Sequence, residues 1–102
     1  MPTIEQLESL RAASPNDPFL MYGLAMAYAK DDQHDEALGW FDRCLATDPE
    51  YCYAYYHKAR SLESLRRLDD AAVVLRTGIE QARTQGEAHA EMELKVFLEE
   101  FE

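Results

Sequence analysis

A chain that resembles itself at a fixed offset has few folds open to it, because each unit must bury its apolar face against the next. Sliding this sequence by 34 residues places Tyr22 on Tyr56, Ala25 on Ala59, Asp35 on Asp69 and Ala37 on Ala71. Phe19 falls on Tyr53, Phe41 on Leu75 and Leu45 on Ile79; in the other direction Pro15 falls on Pro49, Ile4 on Leu38 and Leu7 on Phe41. The matches sit where packed helices need them. Apolar residues recur at helical spacing throughout, and no strand-like alternation competes.

The spacing predicts six helices with short connections, hence antiparallel neighbours. Thr3 and Gln6 form a capping box that opens the first helix, which runs to about Ala13 and is stopped by Pro15. A second runs from Pro18 to Lys30, with Pro in the favoured first turn, and the polar stretch Asp31 to His34 breaks it. A third starts near Asp35 and ends before Asp48-Pro49; a fourth covers about Tyr51 to Leu65. A fifth runs from Leu68 or Asp69 to Thr84, and Gly86 separates a sixth, about Glu87 to Phe101. Gly78 lies inside the fifth, where Gly costs about 1 kcal/mol relative to Ala. The 34-residue offset pairs it with Cys44, another small residue, so both positions read as points where helices come close.

This pattern resembles the tetratricopeptide repeat, a 34-residue helix–turn–helix unit. In residues 18–51, Leu24, Ala25 and Tyr28 stand at the motif's Leu, Gly and Tyr, and Ala37, Phe41, Cys44 and Pro49 at its later Ala, Phe, second Ala and Pro. Met21 replaces the motif's Trp. In residues 52–85, Tyr55, Ala59, Leu62, Ala71, Leu75 and Gly78 take the corresponding places, while Lys58 stands at a Leu and Arg83 at the Pro. Residues 3–15 match only the second half of a unit, and residues 86–102 resemble a terminal capping helix whose glutamates face outward. The resemblance implies an all-α, right-handed superhelix of helical hairpins forming a single domain. It also implies a concave groove, lined by the first helix of each unit, that holds a peptide or protein segment.

The residues make an independent case for that groove. Beyond its core stripe the second helix carries Phe19, Tyr22, Met26 and Ala29 at helical spacing. The fourth helix carries Tyr53, Tyr56, Arg60 and Glu63 in the same way. Stacking the units brings Phe19 toward Tyr53 and Tyr22 toward Tyr56, with His57 and Arg60 at the margin. Clustered aromatics beside an Arg have the composition of an interaction hot spot. The predicted partner-binding residues are therefore Phe19, Tyr22, Met26, Tyr53, Tyr56, His57 and Arg60. A partner segment of apolar, aromatic or basic character is one occupant. The last helix folded across the stripe, or a second copy joined through the stripe or through that helix as a homodimer, are the alternatives. Some relatives clamp the C-terminal carboxylate of a chaperone tail with Lys and Asn. Tyr22, Met26 and His57 occupy those places here, which disfavours that role.

Composition narrows the remaining classes. Ten Lys and Arg against twenty Asp and Glu give a formal charge of −10, which repels phosphate backbones and anionic lipid. Nucleic acid and membrane are thus poor partners, and no run of apolar residues is long enough to span a bilayer. The first residues lack the basic stretch and apolar run of a secretory signal, so the expected compartment is the cytoplasm. Cys44 and Cys52 fit no zinc spacing and read as packed, reduced thiols; a metal site joining them to His57 is the lesser reading. His34 reads as solvated in a polar turn. No phosphate-cradling glycine loop, paired-His zinc motif or nucleophile–base pair is legible, so neither an enzyme nor a resident cofactor is expected.

Overall fold

The computed structural model describes residues 2–102. These form six helices and no strand among the described residues: α1 (Ile4–Ala13), α2 (Pro18–Lys30), α3 (His34–Thr47), α4 (Cys52–Ser64), α5 (Leu68–Gln85) and α6 (Ala88–Glu99). The capping box of α1 is made on both sides, with Gln6 N donating to Thr3 Oγ1 at 3.1 Å and Thr3 N donating to Gln6 Oε1 at 2.8 Å. Asp17 caps α2 by accepting from Phe19 N at 2.9 Å, and Pro18 takes the first turn, where a missing N–H costs nothing.

The hairpin turns repeat at the same 34-residue offset as the sequence. Asp32 and Arg66 both adopt left-handed backbone, at φ 59° and 62°. Each turn closes with a matching bond, Gln33 N to Tyr28 O at 2.9 Å and Arg67 N to Leu62 O at 2.8 Å. After α5 the same reversal is made by Gly86 at φ 73°, with Glu87 N donating to Ala82 O at 2.9 Å. One left-handed residue past each helix end satisfies its last carbonyls and folds the next helix back.

Two apolar clusters fill the stack. One joins α1, α2 and α3 through Leu7, Met21, Leu24, Ala37 and Phe41; the other joins α4, α5 and α6 through Tyr55, Leu62, Leu75, Leu94 and Phe97. Leu45 packs against both and couples them. Each fully buried Leu or Phe here contributes roughly 1.5–3 kcal/mol of transfer free energy. Trp40 is also buried, its ring covered by the guanidinium of Arg43 at 4.2 Å and of Arg11 at 5.2 Å.

Three features correct or extend the sequence reading. His34 starts α3 and is not a solvated turn residue: its Nδ1 lies 3.1 Å from Oγ of the buried Ser61, which ties the start of α3 to α4. Lys58, at a place where the motif has Leu, keeps its stem half-buried and reaches Asp42 on α3 at 2.6 Å, so an ion pair spans a contact that a leucine would fill. The outer side of α6 is not wholly acidic, since Met92 and Val96 stand 53% and 56% exposed among the glutamates.

Gly78 marks the tightest contact. A Cβ built there would lie 2.7 Å from Cβ and 2.9 Å from Cγ of Tyr55, and 3.3 Å from Leu94 Cδ1. Those Tyr55 atoms sit next to the α4 backbone, so relief requires the helices to part. Gly39, on the outer side of α3, meets nothing within 4 Å. The two glycines therefore predict opposite signs. Gly78→Ala lowers stability by about 1–2 kcal/mol, overpacking outweighing the better helix propensity. Gly39→Ala raises it by roughly 0.5–1 kcal/mol. Thermal melts followed by circular dichroism check both, with midpoint shifts of about 4–8 °C per kcal/mol.

Candidate functional site

The expected aromatic residues fall on adjacent helices, but their order differs from the reading by stripes. The Tyr22 ring stacks on Tyr51, centroids 4.9 Å apart and planes at 29°. It also meets the edges of Phe41 at 6.3 Å and His57 at 5.9 Å. Tyr56 lies on the far side of His57, at 5.2 Å, and leans on Phe97 of α6 at 5.0 Å. Phe97 continues to Phe101 at 5.2 Å. A row of rings thus runs Tyr51, Tyr22, His57, Tyr56, Phe97, Phe101 across three helices. His57 is its middle member and not a marginal one, because it stands between Tyr22 and Tyr56 where direct contact of the two tyrosines was expected.

The remaining predicted residues flank this row. Arg60 holds its guanidinium 4.4 Å from the Phe97 centroid and 5.5 Å from that of Tyr56. Its Nη2 donates to Tyr56 Oη at 3.3 Å and its Nη1 to Glu63 at 3.2 Å. Phe19 is 67% exposed at the start of α2, and among the described residues no ring contact joins it to Tyr53. Tyr53 is 39% exposed and donates its hydroxyl to Glu93 of α6 at 2.9 Å; His89 reaches the same carboxylate at 2.7 Å. Met26, half-buried one turn after Tyr22, lines an open depression of about 400 Å³ together with Lys30, His57, Arg60, Ser61 and Ser64.

Tyr22 and Tyr56 are half-buried and neither is enclosed. The last helix covers one side of Tyr56 through Phe97 and leaves Tyr22 untouched. Burial sets the chemistry of the row. It pushes the Tyr22 phenol up to about 12, with the Tyr51 phenol adding to the shift, so Tyr22 stays a neutral hydroxyl at any physiological pH. Burial and then the Arg60 cation lower the His57 imidazole below its ordinary 6.5, against a smaller opposing pull from Glu93. Such a face of neutral rings offers apolar area and hydroxyls and no charged nucleophile or metal cage. Among the described residues no group of three His, Cys, Asp or Glu could hold a metal ion.

Sequence reasoning missed Tyr51 and Phe97. Tyr51 precedes α4 and carries no helical-stripe signal, while Phe97 belongs to the core of α6 and its ring also extends the row.

A family model described as tetratricopeptide repeat matches residues 18–51. A tetratricopeptide repeat domain protein from Salinibacter ruber, solved by NMR, is 39% identical, covering 86% of this chain and 89% of its own, with a TM-score of 0.81. The chain belongs to the tetratricopeptide repeat family. A TPR repeat-containing protein of Pseudomonas aeruginosa is 28% identical over 95 residues, 93% of this chain and 90% of that one. At the level of fold alone, the TPR2B-domain:pHsp70 complex of yeast Sti1 is similar, with a TM-score of 0.90 at 17% identity over 96% of this chain and 78% of that one. No helix of this repeat protein, among the described residues, is long and apolar enough to cross a membrane.

The lowered His57 fixes a pH response for this repeat protein. Unfolding releases the imidazole to its ordinary value, so between that value and the folded one the unfolded chain binds more protons. His57 therefore costs no stability above about pH 6.5, and its contribution is lost as pH falls through the folded pKa. NMR titration should place the His57 midpoint below 6.5, and the drop in melting temperature between pH 7.5 and 5 should shrink in His57→Gln.

Proposed function

We propose that this chain is a protein-interaction module that holds a segment of a partner along the ring row of α2 and α4. One observation carries the reading: rings recur unit after unit on the first helices of the hairpins, packed on the cores from one side and left partly open on the other. Tyr suits that task, since each ring offers a large contact area with few rotors and a hydroxyl that stays paired or wet. Phe19 at the entrance and the Arg60 guanidinium over Phe97 extend the same surface with an anchor and a cation. A fold of this kind carries pHsp70 in the Sti1 domain, which supports a protein ligand here. The segment is short, apolar or aromatic at the positions that meet the rings, and extended or helical.

A second reading rests on α6. Met92 and Val96 stand out on its outer side, and a second copy placed there would cover them. The net charge of −10 opposes pairing of two such chains, so we rank this below the partner groove.

Affinity capture from the native lysate separates the two. Tyr22→Ala with Tyr56→Ala abolishes capture while helicity by circular dichroism is retained, and Phe19→Ala weakens capture at little cost to the melting temperature because its ring is already largely in water. Unchanged capture by all of these variants would reject the groove. Light scattering at micromolar concentration gives the mass of a single chain on this account, and twice that mass if α6 joins copies.

A further inference from the structure

The depression at the C-terminal halves of α2 and α4 has a composition at odds with the rest of the chain. Acids outnumber bases two to one in the sequence, yet no carboxylate lines this hollow. Its floor is apolar, built on Met26 and Ala29, its wall includes His57 and the His34–Ser61 pair, with Ser61 buried, and its rim carries Lys30 from α2, Arg60 from α4 and the hydroxyl of Ser64. Among the described residues Lys30 pairs with no carboxylate, so its ammonium is free to turn inward. Arg60 is held in place by Tyr56 and Glu63, and those two bonds occupy two of its five N–H donors. Of the acids next to these residues in sequence, Glu63 pairs with Arg60, Asp31 accepts from Gln33 Nε2 at 2.6 Å, and Asp32 lies exposed, 3.4 Å from His34 Nε2.

We propose that this hollow takes an acidic side chain of the bound segment, a Glu or Asp whose carboxylate sits between Lys30 and Arg60 while an adjoining apolar side chain lies over Met26. The inference rests on the ring row being the binding surface, and it names the residue class that surface selects at one end. A basic side chain entering here would meet two cations on an apolar floor. The net charge of the chain resists acidic runs at long range, so selection is local. A single acid among neutral, apolar neighbours fits; a polyacidic stretch does not.

NMR titration of the isotope-labelled full chain tests this with three capped peptides, acetyl-Leu-Trp-Glu-Leu-amide and its Gln and Lys counterparts. The Glu peptide should bind about fivefold tighter than the Gln peptide, with the Lys peptide weakest, and should shift the amides of Lys30, Ser61 and Ser64. Lys30→Gln, at an exposed position outside the ring row, should lower Glu-peptide affinity about threefold and leave the Gln peptide unchanged. Equal binding of Glu and Gln peptides, or preference for Lys, overturns the proposal even where Tyr22 and Tyr56 resonances shift, which leaves the ring row standing. Shifts confined to α3 and α5 overturn both.

Discussion

The stack depends on how closely its helices can approach at Gly78. With no Cβ on that residue, Tyr55 lies directly on the α5 backbone and Leu94 closes the same gap from α6. Three helices meet at one point, and the cluster of α4, α5 and α6 is assembled around it. In the preceding hairpin Cys44 and Ala25 keep the corresponding contacts small, each fully buried. Small residues at these places set the spacing of the hairpins. That spacing in turn decides which side chains are consumed by the cores and which are left over.

What is left over is the ring row. Leu24, Phe41, Leu62 and Leu75 fill the interior, so Tyr22, His57 and Tyr56 lie over it half-buried, packed on one another, on the stacked Tyr51 ring, and on the rings of Phe41 and Phe97. Edge-to-face and stacked contacts of this kind add about 0.5–1.5 kcal/mol each and hold the rings in fixed poses. A prearranged surface loses little side-chain freedom when it is covered, which favours binding. The same packing depresses the His57 charge and keeps Tyr22 neutral, so the row is an uncharged strip on a strongly acidic chain.

Much of the architecture was legible in the residues. The capping box at Thr3 and Gln6, Pro18 in its first turn and the apolar period gave all six helices, with ends within a few residues of those observed. Gly78 was legible as a close contact because a mid-helix glycine needs a reason. The turns were less so: Asp32 and Arg66 adopt left-handed backbone that only Gly would have announced, as Gly86 did. His34 was misjudged because its turn is polar, and its partner Ser61 lies 27 positions away on another helix. Pairing of rings was the least accessible level. Stripes say which side of a helix a ring is on, but the helix crossing decides its neighbours, and here that crossing inserts His57 between two tyrosines and brings Tyr51 onto Tyr22.

The central claim is that the strip of rings on α2 and α4, and not the outer side formed by α3 and α5, is where a partner rests. Site-specific photo-crosslinking reads this directly, with a benzoylphenylalanine placed at Phe19 or Tyr56 in one set of chains and at Val73 of α5, 59% exposed, in another. The account predicts one discrete adduct from both strip positions and none from Val73. An adduct from Val73 with silence at Phe19 and Tyr56 would contradict it.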